Sequence, residues 1–152
     1  METKGSILVI DDELGPREAL RMILKSIYKV HTVANGQEAL DLIQREKIDL
    51  VTLDLKMPGL SGIDVLREIK QLNKNIDVII ITGQGTLPNA KEAIHYGAGD
   101  FISKPFNVAD IIAIVSKVFE RRNYTAKING LIQQIKDFRT KEEKQEGEFT
   151  FN

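Results

Sequence analysis

The chain contains no cysteine. Disulfides, thiolate metal centres and cysteine nucleophiles are therefore excluded, and the absence fits a reducing compartment. No apolar run is long enough to span a bilayer. The first residues, Met1-Glu2-Thr3-Lys4-Gly5, are polar and lack the apolar stretch of a signal peptide. The cytoplasm is the expected location, with no membrane contact. Formal net charge is −1, so bulk electrostatics give no reason to expect nucleic acid as a partner. There is no internal repeat and no low-complexity segment. There is also no Gly-x-x-x-x-Gly-Lys-Ser/Thr loop, so the chain is not itself an ATPase of that type. What is present is 152 residues, 42% apolar and 28% charged. That composition suits a globular domain with a sizeable core, plus a short appendage.

Five short apolar runs alternate with five stretches of helical periodicity. Residues 7–10, 28–33, 48–53, 76–81 and 100–103 read as strands. Between them, apolar residues recur at helical spacing: Ala19, Leu20, Ile23, Leu24 and Ile27; then Ala39, Leu40 and Ile43; then Ile63, Leu66, Ile69 and Leu72; then Ala90, Ala93 and Ile94. A fifth helix carries Ile111, Ile112, Val115 and Val118 on its expected buried side. Ser61 and Asn107 suit N-caps, Pro16 a first helical turn, and Gly97 a helix end. Alternation of this kind implies a parallel sheet with helices on both faces. Right-handed crossovers then bring the C-terminal ends of all strands to one rim.

Polar residues sit at those ends: Asp11 and Asp12, Asp54, Thr82 and Lys104. Each alone has a bland reading. Asp54 before Pro58-Gly59 is a turn cap, Asp11-Asp12-Glu13 a solvated helix start, and Lys104 a surface lysine before a proline. Together they are a different matter, because ligands of open α/β sheets bind at this rim. Converging carboxylates need a cation. An oxygen-only set with room for water suits Mg²⁺. An ammonium, a divalent ion and a hydroxyl form a set for a phosphoryl group, and an aspartate can accept one as an acyl phosphate. On this reading Asp54 is the nucleophile.

The tail is distinct. Tyr124, Ile128, Leu131, Ile135 and Phe138 are spaced four, three, four, three, which is a heptad seam. The seam is out of phase with Ile111, Val115 and Val118. It reads as a helix presenting a new apolar face, or as one packing back on its own domain. Gly130 weakens it by ~1 kcal/mol. Residues 140–147 are charged and linker-like, and 147–152 suggest the start of a missing effector domain.

Residues 5–120 resemble the receiver domain of bacterial two-component response regulators. The carriers are Ile7-Leu8-Val9-Ile10-Asp11-Asp12-Glu13, Asp54-Leu55-Lys56-Met57-Pro58-Gly59-Leu60-Ser61-Gly62, Thr82-Gly83, and Asp100-Phe101-Ile102-Ser103-Lys104-Pro105-Phe106. The resemblance implies a flavodoxin-like, doubly wound five-stranded parallel sheet of order 2-1-3-4-5, with a C-terminal helical extension. It implies a phosphoacceptor switch, not an enzyme, fed by a sensor histidine kinase. Asp54 would be phosphorylated. Asp12, Asp54 and the Lys56 carbonyl would hold Mg²⁺ directly, and Asp11 through water. Thr82 and Lys104 would meet the phosphoryl oxygens, and Thr82 with Phe101 would form the switch. Thr82-Gly83-Gln84-Gly85 through Phe106 is similar to the nitrogen-regulator class, which acts in transcription. Residues 121–146 resemble the linker helix through which such receivers dimerise. The face of the fourth helix, fifth strand and fifth helix is the other expected homodimer surface. Lys56 and Gln84 lie where side chains tune phosphoryl lifetime in this family. His31 and His95 read as structural.

Two other readings compete. The first is an Mg²⁺-dependent phosphatase using Asp54, but Lys56 stands two residues on, where such an enzyme needs an acid. The second is an interaction module with a vestigial site, although every site residue type is present.

Overall fold

The computed structural model describes residues 3–150 of the chain. The last two residues of the expected effector start, Phe151 and Asn152, lie outside the described residues. Strands β1 (Ser6–Ile10), β2 (Lys29–Val33), β3 (Leu50–Leu53), β4 (Asp77–Thr82) and β5 (Asp100–Ser103) alternate with helices α1 (Leu14–Leu24), α2 (Gly36–Arg45), α3 (Gly62–Leu72), α4 (Leu87–His95) and α5 (Val108–Thr150). All strand pairs are parallel, in the order β2-β1-β3-β4-β5, as the resemblance implies. Contacts divide the chain into two compact units, Met1–Val115 and Ser116–Asn152.

The registers explain the core of the first unit. Leu8, Val51 and Val78 lie side by side, as do Ile10, Leu53 and Ile80. These side chains share one face of the sheet. There they join Ala39 and Leu40 of α2, Val65, Leu66 and Ile69 of α3, and Ala93 of α4. The alternate residues Ile7, Val9, Leu50, Ile79 and Ile81 are equally buried on the other face. Each fully buried Leu or Ile contributes about 1.5–3 kcal/mol. Continuous apolar runs, rather than alternation, are the result of covering both faces.

Helix starts follow the expected chemistry. Ser61 accepts from the Asp64 amide, Asn35 from Glu38, and Thr86 from Asn89. Asn107 accepts from Asp110 at 2.8 Å. Gly97 closes α4 at φ 104, a conformation few other residues tolerate.

Three expected core positions are exposed instead: Leu72 (46%), Ile94 (59%) and Ile112 (38%). Leu72 is the last residue of α3, at the end of the packed stripe of Val65, Leu66 and Ile69. Ile94 and Ile112 each follow a buried residue, Ala93 and Ile111, and one step along a helix turns a side chain by about 100°. The strand expected at 48–53 begins only at Leu50. Residues 140–147, read above as linker-like, belong to α5. Their Lys, Glu and Gln side chains are strong helix formers, and composition alone does not separate such a helix from a linker. Tyr124, Leu131, Ile135 and Phe138 are 54–68% exposed.

Two buried side-chain atoms in the sheet have no hydrogen-bond partner among the described residues, His31 Nε2 of β2 and Thr52 Oγ1 of β3. Thr52 of β3 is 1% exposed, and its Oγ1 has no hydrogen bond among the described residues. A buried orphan hydroxyl is costly, and valine has nearly the same shape. Thr52→Val is therefore expected to raise stability by about 1 kcal/mol in urea denaturation. A loss of similar size would mean that the hydroxyl has a partner in solution.

Candidate functional site

The polar candidates stand at or just past strand ends, with Asp11, Asp54 and Lys104 pinned by the neighbouring strand, while Phe101 lies within β5. The Asp11 amide donates to the Val33 carbonyl at 3.2 Å, Asp54 to Ile10 at 3.1 Å, and Lys104 to Thr82 at 2.9 Å. Thr82 is the last residue of β4, not the first of the loop. Four segments far apart in sequence thus meet at one rim.

Lys104 is the centre. Its Nζ lies 2.8 Å from Asp11 Oδ2, 2.9 Å from Asp54 Oδ2 and 3.6 Å from Glu13 Oε1. Asp11 and Asp54 are 2% and 3% exposed, so the ammonium is the counter-charge of two buried carboxylates. Burial pushes the Asp11 carboxyl above the ordinary carboxylate value, although the bond from Lys104 opposes this. Burial also works against the Lys104 ammonium, but its bonds to Asp11 and Asp54 prevail and hold its pKa above the ordinary lysine value.

Asp54 is bonded at both oxygens. Oδ1 accepts from Thr82 Oγ1 at 2.6 Å and from the Lys56 amide at 3.1 Å, while Oδ2 takes Lys104. The Thr82 hydroxyl in turn accepts from the Gln84 amide at 3.3 Å. The Gln84 carbonyl accepts from Asn89 Nδ2 at 3.0 Å. A chain of bonds therefore runs from the Asp54 carboxylate into the first turn of α4. Phe101 is partly buried beside Gly85 of the same loop. Lys56 and Gln84 are exposed, as positions at the mouth would be.

Carboxylate oxygens of Asp11, Asp12, Glu13 and Asp54 lie within 4.8 Å of one another. An all-oxygen set of this kind, open to water at Asp12 and Glu13, suits a hard divalent cation. The donors present thus fit Mg²⁺. Glu13 belongs to this cluster and faces Lys104, although the sequence reading gave it no place among the site residues. Its position beside Asp12 was the available signal. His31 and His95 stand apart from the site, the first in β2 and the second at the end of α4.

Comparisons with known proteins agree with this geometry. The response regulator receiver domain family matches residues 7–116. Sporulation initiation phosphotransferase F of Bacillus subtilis is 40% identical over 112 residues, covering 73% of this chain and 90% of that protein. The transcriptional regulatory protein FixJ of Bradyrhizobium diazoefficiens is 35% identical over 136 residues, covering 89% of this chain and 66% of that protein. Other regulators that it matches are spanned over 50% of their length. Among solved structures, NtrX from Brucella abortus superposes with a TM-score of 0.79 at 32% identity, over 85% of this chain and 30% of that one. A receiver domain protein from Methanospirillum hungatei gives 0.77 at 26% identity, over 80% and 98%. With the parallel sheet, the acidic rim and the family match in agreement, the chain belongs to the response regulator receiver domain family, whose members are the phosphoacceptor switches of two-component signalling.

Proposed function

We propose that Asp54 is the phosphoacceptor and that a sensor histidine kinase is the donor. The observation that carries this is the pair of bonds on one buried carboxylate, Thr82 at 2.6 Å and Lys104 at 2.9 Å. An Asp54 oxygen forms the new P–O bond. The donor's P–N bond breaks, and its electron pair leaves with the imidazole. The Lys104 ammonium and the Thr82 hydroxyl then turn from the carboxylate to the phosphoryl oxygens, whose added charge they stabilise. Asp11, Asp12, Asp54 and the Lys56 carbonyl would hold Mg²⁺, with Glu13 at the edge. The ion would neutralise the transferred oxygens. The Gln84 amide ties the Thr82 hydroxyl to the loop that follows, so a shift of Thr82 away from Asp54 Oδ1 would be passed to that loop. Phe101 lies against that loop, which supports its role in the switch.

The test is direct. Incubate the chain with Mg²⁺ and a small acyl phosphate, then weigh it intact. One added phosphoryl group, absent in Asp54→Ala, is expected. Adduct on the alanine variant would refute the assignment. Turnover without adduct would favour a phosphatase.

The output we infer is transcription control of the nitrogen-regulator class, supported by the likeness to NtrX and FixJ. The proposed organisation is a receiver over 5–120, a helical linker over 121–146 and the start of an effector from 147. The chain is proposed to form a homodimer through the linker helix or through the α4–β5–α5 face. Supporting features are the exposed linker seam and, on the second face, Leu87, Ile94, Val108 and Ile112. Light scattering on the full chain and on one ending at Glu120 separates the two. A dimer lost with the tail is expected. A dimer that survives truncation assigns the α4–β5–α5 face, and two monomers refute both.

A further inference from the structure

We propose that Arg17 is a positioning residue for the metal-holding loop, acting through the backbone on Asp12. The inference rests on the reading that this loop holds Mg²⁺.

Helix α1 starts without the usual anchors. Its N-cap, Glu13, makes no side-chain capping bond, and its first turn carries no acid. Pro16 has no amide to offer. The other capped helices begin on Asn35, Ser61, Thr86 and Asn107, each bonded to an amide of its first turn. The joint between β1 and α1, which carries three of the four carboxylates, is thus the one left without that brace.

Arg17 supplies a brace of another kind. From α1 its Nη1 reaches back six residues and donates to the Asp11 carbonyl at 2.8 Å. That carbonyl belongs to the peptide joining Asp11 to Asp12. Fixing it fixes the plane from which the Asp12 side chain departs.

Asp12 needs this more than its neighbours do. Asp11 is held by Lys104 at 2.8 Å and by the Glu13 amide at 2.9 Å. Asp54 is held at both oxygens. Asp12 is exposed, and its carboxylate has no hydrogen bond or ion pair among the described residues. Its placement comes from the backbone alone. Arg17 is otherwise poorly sited, since a cation near a helix N-terminus meets the positive end of the dipole. Its reach back to the loop accounts for the position.

The role is geometric rather than electrostatic, so it acts on metal affinity before chemistry. Residues that orient metal ligands typically change affinity 10–100-fold. Mg²⁺ titration by calorimetry on the full chain, well below the melting temperature, reads it out. Arg17→Ala is expected to weaken Mg²⁺ by about tenfold, and Arg17→Lys, which keeps a donor, by less. At saturating Mg²⁺ both variants are expected to take phosphate from an acyl phosphate at the wild-type rate. Arg21→Ala removes a half-buried arginine one turn further along α1, paired only with Glu18, and is expected to bind Mg²⁺ as wild type. Should Arg17→Ala fail to fold, Arg17→Lys and Arg17→Gln carry the comparison. Affinity for Mg²⁺ within about twofold of wild type in the folded alanine or glutamine variant overturns the proposal. So does an equal loss in Arg21→Ala, which would indicate a general effect of α1. Wild-type protein that binds no Mg²⁺ would instead refute the reading beneath it.

Discussion

Replacing Lys104 with alanine is expected to slow phosphoryl transfer to Asp54 by about 10²–10³-fold, the usual effect of losing one preorganised charge partner. It is also expected to cost about 3 kcal/mol of stability without metal. Both effects come from the same atom. The Nζ bridges Asp11 and Asp54 at 2.8 and 2.9 Å, and neither carboxylate reaches bulk water. Without it, two buried like charges face each other. The pH dependence has a definite sign. Asp11 already has a raised pKa in the folded chain. Its contribution to stability is therefore present in full below the ordinary carboxylate pKa and is lost as pH rises through the folded value. Removing Lys104 raises that value further, so the variant's deficit is smaller in mild acid and larger at neutral pH. Urea denaturation at two pH values, with and without Mg²⁺, measures it. Bound Mg²⁺ should return part of the loss. A variant as stable as wild type at neutral pH, without metal, would show that the two carboxylates are not both ionised there.

Gly62→Ala is the second change with a large expected effect. A Cβ at this position would meet the Leu55 Cα and, at 2.5 Å, the Asp54 carbonyl oxygen. Neither is a flexible side-chain end. The Gly62 amide also donates to the Leu55 carbonyl at 3.0 Å, so α3 starts in contact with the strand end that carries Asp54. Overpacking against backbone is expected to cost about 3 kcal/mol. The displaced strand end should also slow phosphorylation. Gly59→Ala is the comparison. It has open space around it but a φ of +83, so it tests conformational strain without a clash. It should cost about 1–2 kcal/mol, the usual cost of a left-handed non-glycine residue. Melting temperatures of the two variants, with rates from an acyl phosphate, decide the matter. A Gly62→Ala protein that melts with wild type would show that α3 can shift freely.

Much of this was legible in the residues. Apolar runs ending in Asp11, Asp54, Thr82 and Lys104 announced a parallel sheet with chemistry at one rim, because covered strands have no alternation to hide a polar end. The strand order came from the family likeness and not from periodicity. What escaped reading depended on distance through space. Glu13 lies 3.6 Å from a lysine that is 91 positions away, and no spacing rule brings them together. Arg17 reads as one more charged residue of α1 until its reach to Asp11 is seen. Leu72 has a periodicity that fits the buried stripe, but spacing does not show that α3 ends there. The helical state of 140–147 was hidden because charged helices and charged linkers share a composition.

The parallel sheet has a kinetic side. No two neighbouring strands are joined by a tight hairpin, so every pairing waits for a crossover to close, and such long-range pairings form slowly. The edge strand β5 is the last strand of the sheet to be synthesised, and Lys104, which bridges Asp11 and Asp54, follows it directly. Until β5 has docked, the proposed phosphoacceptor site lacks the ammonium that bridges its two buried carboxylates.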